Sequence, residues 1–193
     1  GLLENTVLMF YGDHDARLSS SEYKRFYNYD YKNDKTLDES DPNYKKYGYY
    51  EHELNRSVPF FFWSKNDNQK INKTITNVMG AYDILPTLGN MFGFYNKYAL
   101  GSDIFNTNND NTVIFPNGNY VTNKIYYNSQ SDEAYDIEKK EVIAKELEPK
   151  EYITKRTKET EEKLNISNDI LVYNLLKKVG LKTNDELKVG KWK

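Results

Sequence analysis

The pattern of apolar and polar positions predicts two buried strands in the first third of the chain. Residues 6–11 are an almost unbroken apolar run that Gly12 ends, and residues 58–63 form a second run. Runs of this kind are typical of strands that are covered on both faces of a sheet. Such a strand needs neighbours, and few residues precede the first one. We therefore expect the chain to be the C-terminal part of a longer protein.

Helix and turn signals divide the rest of the chain. Ser19 and Glu22 have capping-box spacing and predict a helix that ends near Tyr27, whereas the polar, tyrosine-rich residues 28–57 predict a long loop. A helix is predicted over 83–93, with Asp83 as N-cap and Gly93 as left-handed stop. A strand over 111–115, a turn over 116–119 and a returning strand over 120–127 follow, and then a short strand near 135–137. The last prediction is a helix from Pro149 that breaks at 165–168 before a second helix.

The composition excludes several classes of function. The 193 residues carry 27 Lys and Arg against 29 Asp and Glu, so no basic excess indicates a nucleic-acid-binding surface. The absence of cysteine excludes disulfides and thiol catalysis. The 18 tyrosines fit either core packing or a surface that grips glycans.

A candidate metal site follows the first predicted strand. Asp13 and His14 come directly after Gly12, where ligands bind in open α/β sheets. A carboxylate and a neutral imidazole are both suitable ligands for a divalent ion. An Asp-His pair on a loop is more often only a polar turn, but the end of a rigid strand would hold both side chains in place. The position therefore favours the metal-site interpretation.

Several segments together resemble one enzyme family. The string NTVLMFYGDHDARL resembles the metal-binding strand end of the alkaline phosphatase superfamily, and most closely that of its sulfatase-like branch of lipoteichoic acid synthases and phosphoglycerol transferases. The resemblance continues, in the order of that branch, through SVPFFFWSK, GAYDILPTLGNMFGF, YALGSDIF, NTVIFPNGNYVTNKIYY and LNISNDILVYNLL. It covers roughly residues 2–180, and the shared order makes it more specific than any single segment.

The resemblance implies an α/β fold. The chain would be the C-terminal portion of an alkaline-phosphatase-like sheet sandwiched by helices, with a terminal β-hairpin and C-terminal helices. Residues 1–128 would complete a sulfatase-like catalytic domain, and residues 129–193 would be a mainly helical C-terminal extension packed on it. The resemblance also implies that the N-terminal half of the same domain is a partner of this chain.

The resemblance also implies a reaction. In that branch a threonine, activated by a divalent ion, attacks a phosphodiester; the ion is usually Mn²⁺, with Mg²⁺ as the alternative. Asp13 and His14 match two of the four metal ligands, whereas no residue here matches the glutamate or the nucleophilic threonine. The isolated chain is therefore expected to be inactive. The implied donor is a phosphatidylglycerol-type lipid and the acceptor a glycerophosphate polymer, at the extracytoplasmic face of a bacterial membrane to which upstream helices anchor the enzyme.

Other residues allow more than one interpretation. Arg17 could hold a phosphate oxygen or form a surface salt bridge, and Asp15 could orient His14 or be only a turn residue. His52 fits a residue that pins the loop better than a ligand of a second metal. Tyr44 and its neighbours at 47, 49 and 50 could stack on a polyol, although packing of the loop is the simpler explanation.

Two other functions remain open from the sequence. A sulfatase or phosphoethanolamine transferase of the same superfamily would share the Asp-His strand end. A non-catalytic module that binds cell-envelope polymer would use the tyrosine-rich loop instead. The sequence does not identify the donor, the acceptor, or whether the enzyme starts or extends a polymer.

Overall fold

The fold is known from a computed structural model. The structure describes residues 1–65, 72–106, 108, 110–143 and 150–180. Two compact units make up the chain, Gly1–Thr74 and Ile75–Lys193. Helices and antiparallel strands are mixed in both units, which confirms the predicted α/β class.

The first unit is built on a two-stranded antiparallel ribbon. Its elements, after a 3₁₀ turn at Leu2–Asn5, are β1 (Val7–Tyr11), α1 (Ser20–Tyr27), β2 (Tyr29–Asp30), β3 (Lys35–Thr36), α2 (Tyr49–Leu54) and β4 (Phe60–Ser64). β1 pairs with β4 so that Val7 lies opposite Ser64 and Tyr11 opposite Phe60. Both predicted strands are therefore confirmed and are direct neighbours.

The prediction of a structureless loop over 28–57 was wrong. This stretch contains the β2–β3 hairpin and α2. Asn28, which is 1% exposed, organises it: its side-chain amide donates to the carbonyl of Lys45 at 2.9 Å and its carbonyl oxygen accepts from the Lys45 N–H at 2.6 Å. The buried side chain of Asn28 thus makes hydrogen bonds with backbone groups that a neighbouring strand would make in a regular sheet.

Helix α1 begins and ends where the sequence predicts. The Ser19 hydroxyl accepts from the Glu22 N–H at 3.3 Å, and the Glu22 carboxylate accepts from the Ser19 N–H at 2.7 Å. This reciprocal pair is the capping box, which satisfies two of the N–H groups that a helix start leaves unpaired.

One face of the ribbon is aromatic and half exposed. Leu8 and Phe10 lie opposite Trp63 and Phe61, and the rings of Phe10 and Phe61 stack with centroids 5.0 Å apart. Phe10 is 49% exposed, Phe61 52% and Trp63 45%. The expectation of a fully buried strand is therefore not met within the described residues, because two strands alone cannot cover both of their faces.

The second unit contains a helix, a five-stranded sheet and a long helix. Its elements are a 3₁₀ turn at Ala81–Asp83, α3 (Ile84–Phe92), β5 (Val113–Ile114), β6 (Tyr120–Val121), β7 (Ile125–Asn128), β8 (Glu133–Asp136), β9 (Glu141–Ile143), α4 (Lys150–Val172) and α5 (Leu175–Lys178). Gly93 follows α3 with φ 72°, the left-handed stop that the sequence predicts.

Asp83 is fully buried and links three segments rather than capping α3. Its carboxylate accepts from the Gly80 N–H at 2.8 Å, the Ser102 N–H at 2.7 Å and the Asn111 amide at 2.9 Å. No side-chain bond from Asp83 caps α3. Three hydrogen-bond donors satisfy this buried carboxylate. Asp83 therefore connects the segments around residues 80, 102 and 111.

The sheet is an antiparallel meander with strands in chain order. The predicted hairpin turn at 116–119 is confirmed, but residues 120–127 form two strands instead of one. The Thr122 hydroxyl accepts from the Lys124 and Ile125 N–H groups at 3.1 Å each and so closes a tight turn between them.

Helix α4 covers the core of the second unit. Four buried sheet residues, Tyr120, Ile125, Tyr127 and Ala134, pack with partly buried side chains that include Tyr152 and Ile153 of α4. The predicted break at 165–168 was wrong, because α4 continues through it to Val172. The predicted start at Pro149 lies outside the described residues.

Two further features bear on organisation. The five-stranded sheet runs across residue 128, so strands β8 and β9 precede the helices of the predicted extension. The division at that residue stays a prediction.

In the part of the chain that the structure describes, no helix combines the length and apolar character needed to cross a bilayer.

We expect the isolated chain to self-associate through the aromatic face of the ribbon. An exposed ribbon offers apolar area and strand edges to a second copy. Sedimentation velocity should show a mass that rises with concentration. Combining Phe10→Thr with Phe61→Thr should weaken association at least about tenfold, since an aromatic side chain is worth roughly 1.5–3 kcal/mol when buried. Ile166→Thr, at a similarly exposed position, should have no effect. A monomer with a sharp thermal transition independent of concentration would contradict this.

We also expect the stability of the second unit to fall in alkali. Burial raises the pKa of Tyr82 to about 12 and that of Tyr120 to about 12, from the ordinary 10.0. Because the neutral phenol is favoured in the fold, this stabilisation is complete below pH 10 and is lost as the pH rises toward 12. Denaturant unfolding from pH 9 to 12 should show the decline, and Tyr82→Phe or Tyr120→Phe should reduce it. Tyr95→Phe, at a position that is 87% exposed, is the control; an equal decline in all three variants would contradict the assignment.

Candidate metal centre

A close backbone approach sets the end of β1. The Gly12 N–H donates to the Pro59 carbonyl at 3.1 Å, which extends the ladder one residue past the strand. A Cβ atom on Gly12 would lie 2.8 Å from the Cβ of Val58. Because neither atom can move without moving backbone, only glycine fits. Asp13 is therefore the first residue to leave the ribbon.

Asp13 and His14 lie together at this tip. The His14 Nε2 atom is 3.7 Å from Asp13 Oδ1, and their side chains are 53% and 86% exposed. The separation is too long for a hydrogen bond. Two metal–ligand bonds of about 2.1 Å each span up to about 4.2 Å, so one divalent ion fits between the two atoms. The donor set and the distance thus fit the predicted metal.

The tautomer of His14 suits a ligand. Its Nδ1 lies 2.6 Å from the main-chain carbonyl of Asp15. A carbonyl oxygen can only accept, so Nδ1 carries the proton. In the neutral ring Nε2 then has a free lone pair. The nitrogen that faces Asp13 is therefore the one that can bind a metal.

Asp13 and His14 are the two candidate ligands that come together at this tip. Within the described residues no group of three or more His, Asp, Glu or Cys side chains forms a metal-binding cluster. That this chain supplies two of four metal ligands stays a prediction.

Asp15 faces a pair of residues that the sequence did not single out. Its carboxylate Oδ2 lies 3.7 Å from Nε of Arg56, and Nη1 of Arg56 lies 3.4 Å from Glu53 Oε2. Glu53 and Arg56 are some forty positions away from Asp15 and form no recognisable motif, so only the fold brings them to this turn.

Arg17 lies three residues beyond His14 with its side chain exposed. Its backbone has φ 54°, in the left-handed region that non-glycine residues seldom adopt. Among the described residues it makes no ion pair, so the surface salt bridge considered for it is not formed with them. Whether it contacts phosphate stays a prediction.

His52 belongs to a packed aromatic cluster. Its ring lies edge-on to Tyr23 and Tyr47 at 5.6 and 6.2 Å, and Tyr27 stacks beside Tyr23. Tyr47 is also within 5.6 Å of both Tyr23 and Tyr27. This cluster packs α1 against α2, which matches the loop-pinning interpretation of His52 and the packing interpretation of Tyr47.

Comparison with known proteins identifies one matching family and similar sequences. Residues 1–94 match the family model described as Sulfatase. The chain is 30% identical over 179 residues to lipoteichoic acid synthase 1 of Bacillus subtilis (strain 168), covering 92% of this chain and 24% of that protein. It is 30% identical over 181 residues to lipoteichoic acid synthase of Staphylococcus saprophyticus, with the same two coverages.

Residues 1–94, just under half of the chain, are similar to the sulfatase family. Within that class the chain is related to the lipoteichoic acid synthases, which confirms the resemblance drawn from its motifs. The chain spans about a quarter of the length of the curated relatives that it matches.

We expect Mn²⁺ to bind weakly at Asp13 and His14 in the chain itself. The paramagnetic ion should broaden the NMR signals of the His14 ring more strongly, and at lower ion concentration, than those of His52, the second of two histidines. Asp13→Asn removes the charged ligand and should weaken the effect at least about tenfold, about 1.4 kcal/mol. Asp169→Asn makes the same chemical change on the exposed side of α4 and should leave it unaltered. Equal broadening of both histidines would contradict a site here.

Proposed function

We propose that this chain is the C-terminal part of a metal-dependent phosphoglycerol transferase. The observation that supports it most is the pair of ligand atoms at the tip of β1, 3.7 Å apart with the correct tautomer, in a chain related to lipoteichoic acid synthases. The donor in this proposal is a phosphatidylglycerol-type lipid and the acceptor a growing glycerophosphate polymer, at the extracytoplasmic face of the membrane.

Asp13 and His14 are the residues that would hold the ion. Together they contribute one negative charge, because the imidazole is neutral when it binds. A divalent ion on this pair keeps a net positive charge, which suits an anionic phosphodiester. Such an ion lowers the pKa of a bound hydroxyl nucleophile and neutralises charge on the phosphoryl oxygens. We propose Mn²⁺ as the ion, with Mg²⁺ as the alternative.

Arg17 would contribute to phosphate binding. Its guanidinium is exposed three residues from the ligand pair and makes no ion pair with the described residues. A guanidinium binds two phosphate oxygens at once and stays charged at any physiological pH. Its role in this proposal is to orient the phosphodiester, while the threonine nucleophile belongs to a part of the enzyme outside this chain.

The full-length protein that contains this chain should transfer glycerophosphate only with an intact ligand pair. Asp13→Asn and His14→Gln should each lower the rate more than about 100-fold, since metal stabilisation of the transition state is worth several kcal/mol. Asp169→Asn should be neutral. The assay follows labelled headgroup from phosphatidylglycerol into polymer, with Mn²⁺ present or chelated.

Other outcomes would contradict the proposal. Turnover of sulfate esters or of phosphatidylethanolamine in place of phosphatidylglycerol would indicate another enzyme of the superfamily, as would a cysteine in a sulfatase signature at the upstream nucleophile position. Full activity of Asp13→Ala without bound manganese would reject the metal mechanism. Polymer binding that survives Asp13→Ala without any turnover would identify a binding module.

A further inference from the structure

Arg56 lies where it can fix the turn that carries the metal ligands. It follows the end of α2, and its guanidinium lies between two carboxylates, 3.7 Å from that of Asp15 and 3.4 Å from that of Glu53. The Asp15 and Glu53 side chains are 16% and 17% exposed, whereas that of Arg56 is 46% exposed. Carboxylates that are largely withdrawn from water need a positive partner nearby. Removing the guanidinium should therefore change the position of the Asp15 carboxylate.

Asp15 connects Arg56 to His14 through two contacts. Its carboxylate faces Arg56, while its own carbonyl oxygen accepts the Nδ1 proton of His14 at 2.6 Å. Peptide groups in an exposed segment can rotate. The Asp15 carbonyl reaches the His14 imidazole in only one orientation of its peptide group. Holding the side chain of Asp15 narrows the orientations of its peptide group. The ion pair thus favours the arrangement in which Nε2 faces Asp13.

We infer that Arg56 is a positioning residue for the metal ligand His14 and acts through Asp15. This inference rests on the proposed metal site. Arg56 touches neither ligand; it keeps His14 in the tautomer and orientation that a metal needs. Partners of this kind commonly change metal affinity 10–100-fold when they are removed, although they never contact the ion.

NMR of the metal-free chain tests the inference without relying on activity. At a pH where both histidines are neutral, long-range proton–nitrogen spectra show which ring nitrogen is protonated. The chain has two histidines, so two ring patterns are expected, and His52 reports whether the aromatic cluster stays intact. We expect the Nδ1–H form for His14 in the wild type. An Nε2–H form would overturn the inference.

Three variants separate positioning from mere structure. Arg56→Met and Asp15→Asn should both shift His14 toward the Nε2–H form that a free imidazole side chain favours, while the His52 pattern is unchanged. Arg56→Lys keeps a charge without the planar fork and should fall in between. Lys24→Met is the matched control, since Lys24 forms an ion pair with Glu39 at 3.1 Å and has a side chain 47% exposed. An unchanged His14 tautomer in Arg56→Met and Asp15→Asn would overturn the inference.

Manganese affinity supplies the second readout. Arg56→Met and Asp15→Asn should weaken Mn²⁺ binding at His14 about tenfold, and Lys24→Met should not. If the wild-type chain and the full-length protein bind no Mn²⁺ at His14, the proposed metal site fails, yet the tautomer measurement still tests the link from Arg56 to His14. Unchanged affinity in both variants would contradict the positioning role alone.

Discussion

The pairing of β1 with β4 is the constraint on which the candidate site depends. Five residue pairs and one further backbone bond, from Gly12 to Pro59, fix the point at which the chain leaves the ribbon. The contact that excludes a side chain at Gly12 makes that exit abrupt. Asp13 and His14 are thus held at a defined place, although both are largely exposed. Rigid strand ends are suited to this task because the strand, and not the ligand side chains, provides the precision.

Charge and hydrogen bonding at the tip serve the same end. The carbonyl of Asp15 determines the tautomer of His14, and the separation of Nε2 from Asp13 leaves room for one ion. Within the described residues, no cluster of three or more metal-binding side chains forms around the pair. The aromatic face of the ribbon is half exposed in the same unit.

The sequence predicted the elements whose signals are local. The apolar runs of β1 and β4, the capping box of Ser19 and the stop at Gly93 each depend on neighbouring residues, and all are confirmed. Helix α2 and the β2–β3 hairpin were missed. They lie in a stretch where buried Asn28 bonds the backbone of Lys45, seventeen positions away, a contact that no local pattern reveals. Residues 165–168 have modest helix propensity, but a few tenths of a kcal/mol each did not break α4. At the site, Asp13 and His14 were found through their place after a strand, whereas Arg56 was not, because only tertiary structure brings it to Asp15.

The central claim is that one divalent ion is bound by Asp13 and His14 together. Pulsed electron paramagnetic resonance of Mn²⁺ bound to the full-length protein tests it most directly, because a directly coordinated imidazole nitrogen modulates the electron spin echo. The account predicts modulation from one histidine nitrogen that disappears when His14 is replaced by Gln. Bound Mn²⁺ without nitrogen modulation, or modulation that persists after this replacement, would contradict it.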